Sequence, residues 1–279
     1  MSEQLTFFGI PSEKVENIVK GTIAIIGSKI SSKSMHSSCG NDLAAKAIRE
    51  VSIEYTGYIP ALDFDLFDYD LVDLGDYDRD EIALTVKAVI NAGGLPIIIG
   101  GDHITTFYSL KEISFQNILW LDAHLDLAKS GEIQETEEYS HAAALRLILE
   151  KKNVSARVVG FRGYSTLKEE IKRANQYDVR YYPPQSDIIK KLLMNAEIIS
   201  LDLDFFDMIY FPAVRVPEPF GINPIDFLRI LREICIRPKY FDIVEYCPLY
   251  DPHRVHGKFI AILLLEIIAA VIRGRQKGV

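Results

Sequence analysis

Brief apolar runs bounded by glycine or acidic residues recur along this chain, and longer segments of helix-forming composition separate them. The runs are Thr22–Ile26, Leu95–Ile99, Ile118–Leu121, Ala156–Gly160, Val179–Tyr182, Glu197–Leu201 and Tyr240–Glu245. Their length and β-branched content mark them as strands. Between them, Asp42–Val51, Asp80–Ala92, Ala142–Glu150, Pro224–Ile236 and Gly257–Ile272 carry helical spacing. LPIII and NILWL are apolar on both faces, which suits strands of a parallel sheet covered by helices on each side. The alternation predicts the α/β class: a three-layer α/β/α sandwich with a mainly parallel central sheet of about eight strands.

With 279 residues, 48% of them hydrophobic, the chain can bury a large core, and no Gly/Ser-rich or Pro-rich linker divides it. One domain spanning 1–279 is expected. A net charge of −8 argues against a nucleic-acid surface and is compatible with a small cationic substrate. Cys39, Cys235 and Cys247 are odd in number and widely spaced, suggesting neither a disulfide framework nor a zinc cluster, so a reducing cytoplasm is expected. No secretory signal is visible at the N-terminus. The apolar stretch Phe259–Ile272 is interrupted by Glu266 and falls short of the ~18 residues of a spanning helix. It reads as a buried C-terminal helix, with no membrane partner.

In parallel sheets functional groups collect at the carboxyl ends of strands, and three such ends here are rich in Asp and His. After LPIII comes Gly100-Gly101-Asp102-His103, where the paired glycines allow a tight turn. After NILWL comes Asp122-Ala123-His124-Leu125-Asp126, and after AEIIS comes Leu201-Asp202-Leu203-Asp204 with Asp207 beyond. In an extended chain alternate side chains share a face, so Asp122, His124 and Asp126 would project together, as would Asp202 and Asp204. A single Asp-x-Asp at a strand end is commonly a cap or turn. The coincidence of three clusters points instead to one metal centre.

Should the ends converge, four carboxylates meet, and each like-charge pair at about 4 Å costs on the order of 4 kcal/mol at an effective dielectric near 20. Divalent cations remove that conflict. Six imidazole and carboxylate ligands exceed what one tetrahedral zinc needs and suit two harder ions, manganese first. Two ions roughly 3.5–4 Å apart can lower the pKa of a shared water from about 15.7 to about 7, which makes hydrolysis the natural chemistry.

These segments resemble the motifs of the ureohydrolase family of arginases, agmatinases and formimidoylglutamases: Gly-Gly-Asp-His, Asp-Ala-His-x-Asp and Ser-x-Asp-x-Asp-x-x-Asp-Pro. The first two match at Gly100–His103 and Asp122–Asp126, and the third from Ser200 through Asp207. The resemblance implies two Mn²⁺ per chain. His103, Asp122, Asp126 and Asp202 would hold one ion, and His124, Asp122, Asp202 and Asp204 the other. It also implies that Glu245, in Asp242-Ile243-Val244-Glu245, holds the substrate's guanidinium, and that His141 shuttles a proton to the leaving amine. Asp126 is carried with them as a catalytic residue. His36, His253 and His256 match no ligand position and read as surface or supporting residues. Homo-trimers or homo-hexamers are expected on the same grounds.

The sequence departs from the family pattern at Ala142, Met208 and Val216, which leaves the metal ligands intact and alters the substrate loop around Pro217-Glu218-Pro219-Phe220-Gly221. Ala128 stands where arginases place an Asn for the substrate carboxylate. The Pro-Glu-Pro element looks more like agmatinases, so a small cationic guanidino or amidino substrate, agmatine first, is expected. Formimidoylglutamases share the Asp-Leu and Pro-Phe-Gly features, but their Arg has only Lys129 nearby, one position late. Two other classes stand open: a non-catalytic metal-binding scaffold, and an amide hydrolase of the deacetylase kind working with one zinc.

Overall fold

A computed structural model describes residues 5–32, 39–132 and 138–276. Eight strands among them form one sheet: β1 Ile23–Ser28, β2 Leu71–Tyr77, β3 Leu95–Ile99, β4 Asn117–Leu121, β5 Ser155–Val159, β6 Val179–Tyr182, β7 Ile198–Asp202 and β8 Tyr240–Val244. The spatial order is β2-β1-β3-β8-β7-β4-β5-β6, and every neighbouring pair is parallel. Parallel pairing requires crossovers, and the helices supply most of them.

Alternation along the strands divides the core in two. Ile23, Ile25, Ile97, Ile99, Leu119, Leu121, Ile199, Leu201, Phe241 and Ile243 face one way. They pack with helices α1 (Ala44–Ser52), α6 (Ser186–Leu193), α7 (Pro224–Glu233) and α8 (Val255–Gln276). Ala24, Ile26, Ile98, Ile118, Trp120, Ile198 and Tyr240 face the other way. Their partners are α2 (Ile82–Asn91), α3 (Ile104–Ser109), α4 (Ala144–Lys151) and α5 (Lys168–Gln176). The expected three-layer sandwich is what forms.

One strand was not anticipated. β2 is interrupted by acids, and Asp73 on it is buried. Arg49 of α1 explains why it is tolerated: Nε and Nη2 donate to the two Asp73 oxygens at 2.8 and 2.9 Å, and the Phe7 and Gly75 amides donate at 3.0 and 2.9 Å. Helix α8 is long and apolar enough to cross a bilayer, but most of its side chains are buried inside the fold. Glu266 within it is buried and paired with Arg232, whose Nε donates at 3.0 and 3.1 Å.

The strands that matter next are β3, β8, β7 and β4, four neighbours at the centre of the sheet. The chain passes from β3 to β4 leaving a gap that β7 and β8 later fill. That reversal of strand order is where a parallel sheet opens a crevice at its carboxyl end.

Candidate metal centre

Gly100 and Gly101 follow β3 with φ of 89° and 78°. A Cβ on Gly101 would lie 2.2 Å from Thr105 Oγ1 and 2.7 Å from the Ile30 carbonyl, so the turn demands glycine. It delivers His103 to the start of α3, with the ring stacked on Trp120 at 3.9 Å between centroids and 7° between planes. Behind the ring, Nε2 lies 2.9 Å from Ser200 Oγ, which donates to Asp242 Oδ1 at 2.6 Å. Thr106 Oγ1 and Tyr240 OH donate to the other Asp242 oxygen at 2.8 and 2.7 Å. With its own proton committed to Asp242, Ser200 accepts from His103 Nε2–H, which leaves a lone pair on Nδ1.

That nitrogen meets three carboxylates: Asp122 Oδ2 at 3.1 Å, Asp126 Oδ2 at 3.0 Å and Asp202 Oδ2 at 3.1 Å. The second imidazole repeats the arrangement. His124 Nδ1 lies 2.8 Å from Asp204 Oδ2 and 3.4 Å from Asp122 Oδ1. Asp122 therefore turns one oxygen to each histidine and joins the two groups. All six expected ligand residues converge, although Asp202 stands with the His103 group, its other oxygen accepting the Asp204 amide at 2.9 Å.

Strand alternation is not what brings them together. β4 ends at Leu121 and β7 at Asp202 itself, and the other clustered side chains lie in the chain beyond the strands. Asp126 has φ of 51°, an unusual conformation for a side chain with a Cβ, and its carbonyl accepts the Arg146 amide of α4. Asp204 lies in a single 3₁₀ turn, where its Oδ1 accepts the Ala123 amide at 3.0 Å and so ties the end of β7 to that of β4.

The electrostatics show the strain of this assembly. Burial pushes Asp126 up to about 7, with Asp122 adding to it, and burial beside neighbouring acids raises Asp202 and Asp204 as well. For His103, burial opposes protonation, yet Asp122, Asp126 and Asp202 hold the imidazole well above its usual value. Protons alone neutralise this cluster only by charging one group against the burial of another.

A third group stands beside it. Asp102, His141 and Glu245 bring ligand-type atoms within 4.8 Å of one another. Glu245 follows β8 with φ of 70°, and its Oε1 accepts the His103 amide at 2.9 Å. Burial pushes its carboxyl up to about 7, against the pull of Arg215. His141 opens a 3₁₀ turn before α4, and its Nδ1 lies 3.0 Å from Arg215 Nη1. Burial and then the Arg215 cation push the imidazole down to about 3, so it is neutral at ordinary pH.

Sequence reasoning missed Trp120, Asp242, Glu218 and Arg215. Glu218 Oε1 reaches His124 Nε2 at 3.3 Å and is held in turn by Ser165. Asp207 closes the loop 206–223 by accepting the Ile209 and Gly221 amides at 2.9 and 3.1 Å. Met208 and Val216 are exposed on that loop. His253 is exposed, and His256 lies 3.2 Å from Asp251 at the start of α8. His36 lies outside the described residues.

An agmatinase of Pyrococcus horikoshii is 29% identical over 217 residues, which cover 71% of this chain and 74% of that protein. The agmatine ureohydrolase of Thermoplasma volcanium superposes with a TM-score of 0.82 at 24% identity, covering 100% of this chain and 98% of its own. The formimidoylglutamase of Bacillus subtilis gives 0.81 at 20%, covering 97% and 93%. The family model described as the Arginase family matches residues 21–270, a span that contains all four central strand ends and every side chain of the two imidazole–carboxylate groups. This chain therefore belongs to the Arginase family, whose members are hydrolases of amidino carbon–nitrogen bonds.

Proposed function

We propose that the protein is a binuclear manganese hydrolase of a linear guanidine or amidine, agmatinase-like in preference, converting agmatine to putrescine and urea. One observation carries the reading: two imidazole lone pairs and four carboxylates, delivered by three strand ends, converge on one acidic crevice. The fit to cations can be tested on the side chains themselves. His103 Nδ1, Asp122 Oδ2 and Asp126 Oδ2 are buried with no hydrogen-bond partner among the described residues, despite lying about 3 Å apart as pairs. A lone pair aimed at carboxylate oxygens is repulsive unless a cation stands between them.

His103, Asp122, Asp126 and Asp202 would hold one ion, and His124, Asp122 and Asp204 the other, with Asp202 reaching both as the family resemblance implies. Bound there, the pair supplies a water of lowered pKa at neutral pH. The remaining work falls to the chain. Glu245 presents Oε2 toward the substrate's planar cation, the geometry of a charge-assisted pair. His141, neutral, takes up a proton and hands it to the departing amine. Burial of Glu245 and its neighbours excludes bulk water from that exchange.

The surroundings favour a substrate without a carboxylate. Ala128 is buried, with its amide donating to the Ala142 carbonyl at 2.9 Å and its carbonyl accepting from Arg146 Nε at 2.8 Å. Lys129 is exposed. Neither residue is placed to receive a carboxylate in the crevice. The test is release of urea or formamide after manganese loading, across agmatine, arginine, guanidinobutyrate and formimidoylglutamate. Turnover of agmatine foremost is expected, and bound metal with no turnover of any of them would make the protein a metal-binding scaffold instead. Elemental analysis should give two metal equivalents per chain; one equivalent would favour a mononuclear hydrolase.

A further inference from the structure

We infer that the pocket beside the metal centre is a guanidinium site that the protein fills with its own Arg215, so that a cationic substrate must displace this side chain to bind. The inference rests on Glu245 being the carboxylate that faces the substrate cation.

Arg215 lies on the loop after β7, between Val214, which is buried, and Val216, which is exposed. Its own side chain is turned inward and is only 2% exposed. Among the described residues, the groups around its guanidinium are acceptors. Asn41 Oδ1 takes Nη2–H at 2.8 Å, and His141 Nδ1 lies 3.0 Å from Nη1, with Ser32 Oγ at 3.4 Å. Asp102 Oδ2 stands 3.5 Å from Nη2, and Glu245 Oε2 3.8 Å from Nε. Two buried carboxylates and three neutral acceptors spread around one planar fork are what guanidinium recognition requires, and nothing about them is particular to an arginine of the same chain.

The pocket and the proposed substrate position are the same place. Glu245 gives one oxygen to the His103 amide and turns the other toward Arg215. An amidinium arriving at Glu245 would meet a like charge already seated there. A loop arm can leave where a strand could not: Arg215 belongs to the irregular stretch 206–223, fastened to the segment after β8 by the Cys247 amide donating to the Ala213 carbonyl at 2.8 Å. Arg215 is thus a specificity-determining residue. It sets how strongly a cation must bind before the crevice opens to it, and it keeps Asp102 and Glu245 neutralised meanwhile.

The experiment compares wild type, Arg215→Ala and Arg215→Gln, all metal-loaded. Binding of millimolar guanidinium chloride is read by calorimetry and by thermal shift, against sodium chloride at equal ionic strength. Removing the like charge is expected to tighten guanidinium binding by about tenfold or more and to lower KM for agmatine by a similar factor, with metal content unchanged. Arg215→Ala leaves two buried acids without their cation, and guanidinium should restore part of its lost melting temperature. Arg215→Gln fills the space without charge and keeps the comparison open should the alanine variant not fold. Equal guanidinium affinity in all three proteins overturns the inference, whatever their turnover. A variant with a higher KM for agmatine, or one that loses affinity for formimidoylglutamate without gaining any for guanidinium, makes Arg215 a substrate-binding arm and overturns it as well. If guanidinium binds more tightly to the variants while no amidine is hydrolysed by any of the three, the internal occupant stands and the hydrolase reading falls.

Discussion

His103 offers one nitrogen to three carboxylates, and the relay behind the ring decides which nitrogen that is. Ser200 and Asp242 fix the tautomer, while Trp120 fixes the plane. Ser200→Ala should therefore weaken metal binding by about 10–100-fold without removing a ligand, as measured by metal titration. Unchanged affinity would mean the ring is held by stacking alone. His141→Ala should retain metal while turnover falls by roughly 10²–10⁴-fold, the usual contribution of a proton-transferring side chain; an unaltered rate would remove it from the chemistry. The convergence of the six candidate ligand residues was legible in the sequence because each cluster follows an apolar run within a few residues. Asp242, Trp120 and Arg215 were not, because their roles depend on which strands become neighbours. Asp242 serves His103 only because β8 and β7 pair, with Asp242 opposite Ser200.

At the level of elements, β2 and the start of α8 both depend on a single buried aspartate. The kind of short apolar run that revealed the other strands is broken in β2 by Asp73, and only the arginine contributed by α1 makes the strand intelligible. Asp73→Ala should destabilise the fold by about 3 kcal/mol, because Arg49 would stay buried and charged with only Asp76, at its Nη1, left to pair with. Denaturant melts read this directly, and a loss below about 1 kcal/mol would show the pair to be dispensable. Helices α5 and α6 were also unread, since each buries few apolar residues: Ala174 in one, Ile189 and Leu193 in the other. Asp251 caps α8 by accepting the Val255, His256 and Gly257 amides at 3.0, 2.9 and 2.9 Å, with the Tyr246 hydroxyl at 2.8 Å. Burial pushes its carboxyl up, but the Gly257 amide and the Tyr246 hydroxyl outweigh that and leave it below the usual range. A carboxyl depressed on folding contributes stability that is present above its unfolded value, about 3.9, and lost as pH falls through the folded one. Asp251→Asn should cost about 0.5–2 kcal/mol at neutral pH. The gap between the two proteins should narrow as pH drops below about 4, and a gap independent of pH would exclude the charge as its source.

Across the whole molecule, the two cores stabilise a sheet whose centre carries a concentration of buried acid at one end. The same four strands whose apolar residues fill both cores end in Asp102, Asp122, Asp202 and Glu245, so the position of the site and the stability of the sheet are linked. An unneutralised cluster opposes the closure of those strand ends, and cations that bind only the folded chain favour it. The linkage relation gives about 2.7 kcal/mol of added stability at a free metal concentration 100 times Kd. Manganese should accordingly raise the melting temperature, and a chelator should reverse the rise. Asp122→Asn tests the cause, since Asp122 turns one oxygen to each imidazole. Against its burial, both imidazoles hold Asp122 ionised in the metal-free protein, so the variant should melt below metal-free wild type, and with both ion positions weakened it should respond little to manganese. A variant that still gained the full wild-type increment would show that the stabilising ions bind elsewhere, and that the crevice is not the centre that couples metal to the fold.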